Sequence, residues 1–151
     1  MIRCAEERHS SVGVARQYRG QLGRQDNCQV AVALWVANDH ACLPIAHHLY
    51  LPLPWADDPA RRCRADVPDE VTFQTKPEIA LARIRAALQA GVAPATELTD
   101  AGYGVDTEFR DGTTALGLSY VVGAQSATSL WPPASCRCRQ RNGVETSGRH
   151  R

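Results

Sequence analysis

Asp100 stands where a carboxylate can do chemistry. It follows the expected short strand Thr96 to Thr99 and opens the turn Asp100-Ala-Gly-Tyr-Gly104. Ligands of open α/β sheets gather at the carboxyl ends of strands. A carboxylate there can hold Mg²⁺ while phosphate oxygens complete the shell. The same residues allow a plainer reading. Asp100 then caps the turn, and the glycines supply positive φ. Local pattern leaves both readings open.

Other chemically able residues are less well arranged. Asp57 and Asp58 are adjacent, but they sit in a proline-rich loop and read as solvated loop residues. His47 and His48 are neighbours on an expected strand, so they point to opposite faces and cannot easily share a metal. The cysteines are at 4, 28, 42, 63, 136 and 138, with no C-x-x-C pair. Cys136 and Cys138, with His150 beyond, match no usual zinc spacing. A disulfide framework is not expected. Cys28 and Cys42 lie in apolar strands and read as small core residues. Trp35 and Trp55 read as packing residues rather than base-stacking platforms. Arg16, Arg19 and Arg24 are either phosphate contacts or a solvated basic segment.

Apolar residues make up 44% of the 151 and charged residues 22%, which excludes wholesale disorder. No apolar run is long enough to span a membrane, and the start lacks the apolar core of a secretory signal. A cytoplasmic protein is the expectation. The net charge of +1 hides an uneven distribution. Residues 134–151 hold five arginines against one glutamate, and residues 1–26 hold five against three acids. The middle is therefore acidic, without the basic face of a self-sufficient DNA-binding domain. Lys76 is the only lysine, which reads as a GC-rich coding bias.

The elements that must position Asp100 follow from pattern. Cys28 to Val36 is rich in β-branched and aromatic residues. Ala41 to Leu51 forms a second strand, with Pro44 marking an edge or bulge. The short link Asn38-Asp39-His40 makes the two an antiparallel hairpin. Residues 52–75 carry Pro52, Pro54, Pro59 and Pro68 and cannot form a long helix. Lys76 to Ala90 is the clearest helix. Thr75 and Glu78 form a capping box, Ala80, Ile84, Ala87 and Leu88 form the apolar stripe, and Gly91 and Pro94 stop it. After Asp100, Asp106 or Thr107 caps a helix to about Leu116, weakened by Gly112. Leu118 to Gly123 is the last strand. The helical crossover places parallel strands beside the hairpin. Glu97 and Thr99 are polar where a buried central strand prefers apolar residues. Residues 1–10 are unpatterned, and 134–151 read as a disordered basic tail.

Seven blocks together resemble a known family. They are Ser11-Val-Gly-Val-Ala-Arg-Gln-Tyr18, Asn27-Cys-Gln-Val-Ala-Val32, Ala37-Asn-Asp-His-Ala41, Leu49-Tyr-Leu-Pro52, Trp55-Ala-Asp-Asp-Pro59, Phe73-Gln-Thr-Lys-Pro-Glu78 and Asp100-Ala-Gly-Tyr-Gly104. In this order they are similar to the DDE endonuclease domain of bacterial insertion-sequence transposases, of the IS701 type. The likeness covers residues 11–133, a partial catalytic domain, roughly four-fifths of the chain. It implies an α/β, ribonuclease-H-like fold, incomplete here, with a mixed sheet containing the hairpin and flanked by helices. It also implies Mg²⁺ or Mn²⁺, transposon-end DNA, and association with itself or with a full-length transposase.

In such a family two aspartates and a glutamate hold two metal ions, which lie about 3.5–4 Å apart and need shared anionic ligands. Asp100 matches the second acid, as catalytic residue and metal ligand. The first belongs on a strand upstream of Ser11, where Met1 to His9 contain no aspartate. Glu6 and Glu7 are there without a strand pattern. The third belongs beyond Pro133, where Glu145 is the one acid. No catalytic role is carried over to these glutamates. Outside residues 11–133 the sequence resembles out-of-frame reading of GC-rich DNA, so the expectation is a decayed remnant, inactive alone. The alternative is a truncated transposase that regulates by binding DNA or intact transposase.

Overall fold

The computed structural model describes residues 11–19 and 22–129. Its first element pair is a hairpin that the sequence pattern did not reveal. Strand β1 (Ala15–Arg19) pairs antiparallel with β2 (Arg24–Cys28), Ala15 opposite Cys28. The strands read ARQYR and RQDNC, with few β-formers and no apolar alternation. Polar links tie them instead. Gln17 Nε2 donates to Cys28 O at 3.0 Å, Arg16 Nε to Gln25 Oε1 at 3.3 Å, and Arg19 lies 3.9 Å from Asp26. Arg16, Arg19 and Arg24 therefore sit exposed on a hairpin.

The expected hairpin follows as β3 (Ala31–Ala37) and β4 (Cys42–Leu49), antiparallel. Asn38 makes its turn, since Asn38 Oδ1 accepts from the backbone N–H of His40 and Ala41, each at 2.8 Å. Pro44 brings the expected irregularity. The register passes from Leu34 opposite Ala46 to Trp35 opposite Pro44, so Ile45 is the extra residue of a bulge. Cys28 ends β2 and does not begin β3.

The proline-rich stretch holds two short helices, α1 (Leu53–Ala56) and α2 (Pro59–Arg64). Each has proline in its first turn, where the missing N–H is no loss. The long helix α3 (Lys76–Gln89) has the expected box. Glu78 N–H donates to Thr75 Oγ1 at 3.3 Å, and Glu78 Oε2 accepts from Thr75 N–H at 2.6 Å. These bonds from Thr75, its backbone first, hold the Glu78 carboxyl below its usual pKa. Ile84 of the expected stripe is buried, together with Ile79, which the stripe omitted. Then come β5 (Glu97–Thr99), α4 (Ala101–Gly104), α5 (Thr107–Ala115) and β6 (Tyr120–Val122). Asp106 caps α5, accepting from Phe109 N–H at 2.8 Å. β6 pairs parallel with β5.

One expectation is corrected. The hairpin and the parallel pair do not share a mixed sheet. Among the described residues the strands form three separate two-stranded sheets, β1–β2, β3–β4 and β5–β6. β3 and β5 line the same cavities, and no described strand pairs with both. Two further readings fail. Trp35 is 51% exposed, and Cys42 is exposed. Neither packs into a core.

The cores are small. Trp55 is 1% exposed, and its Nε1–H donates to Val14 O at 2.8 Å, while the Arg61 guanidinium lies 3.8 Å above its ring. This anchors the segment leading into β1. Phe109 and Thr113 fill the other core, where Thr113 Oγ1 donates to Phe109 O at 2.8 Å. Gly112, read as a weakness of its helix, has a packing reason. A Cβ there would stand 2.3 Å from Leu81 Cδ2, so the missing methyl lets α5 lie against α3.

Glycines also set α4 on the end of β6. A Cβ on Gly104 would stand 2.0 Å from Gly123 O and 3.1 Å from Val122 Cβ. Backbone cannot yield as a flexible side chain can. Gly104→Ala should lower unfolding free energy by about 2 kcal/mol or more. Denaturant titration checks this, and an unchanged midpoint would refute the packing described. Glu97 gives a second prediction. Burial pushes its carboxyl above the usual pKa. The native state therefore holds this proton more tightly than the unfolded chain, so ionisation opposes folding as pH rises. Glu97→Gln should raise the melting temperature at about pH 7, with the gain disappearing near about pH 4. An equal gain at both values would contradict it.

Candidate functional site

The site is built from the end of β5. Asp100 is exposed and adopts extended backbone at φ −79°, ψ 179°. Its Oδ1 accepts from Gly102 N–H at 2.8 Å, and its carbonyl receives the N–H groups of Tyr103 and Gly104. The turn-capping reading of Asp100 is thus realised. It leaves Oδ2 available, so capping and ligation are compatible.

A cavity of about 230 Å³ lies beside this turn. Glu97 to Asp100 and Tyr103 form one wall, Val32 to Trp35 of β3 the opposite wall, and Ala80 and Ile84 of α3 contribute as well. Thr99 Oγ1 is buried and has no hydrogen-bond partner. The Tyr103 hydroxyl is pushed above its usual pKa, first by burial and then by the charge of Asp100. Tyr103 also packs its ring 5.5 Å from that of Phe109, which fixes the turn to α5. Arg110 donates to Gly104 O from the far side. Thr99, Tyr103 and Glu97 were not singled out as site residues by sequence reasoning. The available signal was the polar pair Glu97 and Thr99 in a strand that should have been apolar.

Do these groups fit the two divalent ions implied by the resemblance? Two ions carry four positive charges and need several shared anionic ligands. Asp100 and Glu97 are the carboxylates lining this cavity. Glu97 is half-buried, and burial raises its pKa. Among the described residues no cluster of three or more His, Cys, Asp or Glu side chains could hold a metal. The described donor set does not fit a two-ion centre. Asp100 can give one oxygen to a hydrated Mg²⁺, which keeps its waters unless several ligands replace them.

The other candidates have structural roles. Asp58 caps α2, accepting from Arg61 N–H at 2.8 Å, and the backbone of Asp57 closes α1. His47 is paired edge-on with Trp35 at 6.4 Å, while His48 alternates to the other face of β4. Glu6, Glu7, Glu145, Cys4, Cys136, Cys138, His150 and the basic tail lie outside the described residues. No helix among the described residues is long and apolar enough to cross a membrane.

No curated protein and no solved structure matches the chain. The family profile described as DDE superfamily endonuclease matches residues 7–151. That match takes in the Asp100 turn, every described element and the arginine-rich tail, and the chain belongs to the DDE superfamily endonuclease family.

Proposed function

We propose that this chain is a partial catalytic domain of an insertion-sequence DDE transposase of the IS701 type, inactive alone. The family supplies the reaction class, a transposase-type nuclease acting on DNA. Residues 11–133 are the ribonuclease-H-like part of this reading, and residues 134–151 a basic tail. Asp100 is its catalytic acid and Mg²⁺ or Mn²⁺ ligand. Transposon-end DNA in the cytoplasm is its substrate class.

One observation carries the reading. Asp100 stands at the carboxyl end of β5, on the cavity wall, with one carboxylate oxygen engaged in its own turn. That is the place for a phosphate-activating acid. A single ligand of this kind leaves the attacking and leaving oxygens without the paired ions that would stabilise both. The binding alternative, a regulator that associates with DNA or intact transposase, is favoured by a different observation. Among the described residues, β3 and β5 each have a strand on one side alone.

The test is incubation of the purified chain with transposon-end DNA in Mg²⁺ or Mn²⁺, beside Asp100→Ala. The expected outcome is no strand cleavage or transfer above a protein-free control for either protein. Cleavage by the wild type that disappears in Asp100→Ala would overturn the claim of inactivity. It would show that Asp100 works with acids supplied by another part of the chain or by a second subunit.

A further inference from the structure

We infer that the outward face of the β1–β2 hairpin is a platform for an unpaired DNA strand, with Tyr18 stacking on a base and Arg16 pairing with a neighbouring phosphate. The inference rests on the reading of DNA as the family's substrate class, and it does not depend on any reaction at Asp100.

The register divides the hairpin into two faces. Tyr18 stands opposite Gln25 and Arg16 opposite Asn27, so these four side chains share one face. All four are exposed. Ala15, Gln17, Asp26 and Cys28 share the other face and are partly buried. The base of the ribbon is pinned, since Val14 O accepts from Trp55 Nε1–H at 2.8 Å and Gln29 Nε2 donates to Val12 O at 2.7 Å. A pinned ribbon with one partly buried face presents the other as a flat surface.

The chemistry of that face selects its partner. Tyr18 is 64% exposed, a large share for an aromatic ring. Arg16 Nε donates to Gln25 Oε1 at 3.3 Å, which holds the guanidinium on the platform and leaves its terminal nitrogens for a phosphate. Gln25 and Asn27 add amides, which both donate and accept and so tolerate different base edges. None of the four residues is a carboxylate; Asp26, on the other face, lies 3.9 Å from Arg19. A cation beside an uncovered ring is the pairing that binds single strands, phosphate to charge and base to π-face.

Other occupants fit less well. In a duplex the bases stack on one another, so Tyr18 would have no open π-face to meet. A two-stranded ribbon can enter the major groove, but this one has its second face partly buried. The chain's own segment 134–151 holds five arginines against one glutamate, the same sign as Arg16, and residues 1–10 balance two arginines with two glutamates. Charge therefore draws neither onto this face. A second copy meeting it face to face would set Arg16 against Arg16.

The test measures binding of the full chain to a fluorescently labelled mixed-sequence DNA strand, and to the same strand annealed to its complement, by anisotropy across a salt series. Circular dichroism checks the fold of each variant. The wild type should bind the single strand more tightly than the duplex. Tyr18→Ala should weaken single-strand binding by about tenfold or more, and Tyr18→Phe, which keeps the ring, should stay within about twofold of the wild type. Arg16→Ala should reduce the steepness of log affinity against log salt by about 0.7, the value for one phosphate on a single strand. Arg85→Ala, an equal loss of charge at an exposed position of α3, should leave affinity and steepness unchanged. Wild-type binding that Tyr18→Ala leaves intact, a preference for duplex, loss of binding in Tyr18→Phe, or equal effects of Arg16→Ala and Arg85→Ala would overturn the platform while leaving DNA as the substrate class. A wild type that binds neither DNA would overturn the substrate reading and the platform together.

Discussion

Ile84 is the point on which the separate parts of this molecule converge. It is 4% exposed, it projects from α3, and it lines both cavities that β3 and β5 share. The strands themselves give little cohesion, because isolated two-stranded sheets are marginal in water. The long helix therefore acts as the common floor. It packs on β3 and β4 directly, and Leu81 meets α5 where Gly112 has no side chain. Through α5 and α4 that contact reaches β5 and β6. The capping box at Thr75 and Glu78 matters for the same reason, since it fixes where the floor begins.

The position of Asp100 depends on this arrangement. β5 has three residues, too few to hold a carboxylate rigidly by its own ladder. The turn is fixed instead by Gly104 and Gly123 in close approach, by Tyr103 on Phe109, and by Arg110 on the Gly104 carbonyl. A well-placed acid on a small sheet is the outcome. Its neighbours explain its chemical limits. Glu97 lies in a half-buried place that disfavours its charge, and Thr99 Oγ1 is buried without a partner. The polar residues that looked wrong for a central strand border a cavity.

Much of the fold was legible because local signals were strong. The capping box, the Asn38 turn and the Asp106 cap each rest on short-range chemistry. Asp100 was legible for the same reason, at the end of a strand before glycines. The β1–β2 hairpin was not legible, since Gln17 and Arg16 hold it through specific polar bonds that leave no apolar alternation. Trp35 and Cys42 were misread because burial depends on what packs over a strand. The residues of the strand itself do not state that. Gly112 shows the opposite case, a residue poor for its helix and required by its neighbour.

The account stands or falls on whether α3 couples the separate sheets through Ile84. Native-state hydrogen exchange on Ile84→Ala, compared with the wild type, tests this directly. Truncating a buried isoleucine removes about 2–5 kcal/mol. If Ile84 is the shared floor, amides of β3–β4 and of β5–β6 should lose protection together and by similar amounts. Loss confined to one pair, with the other unchanged, would contradict the account. It would mean that the sheets are stabilised independently and that α3 does not set the position of Asp100 relative to β3.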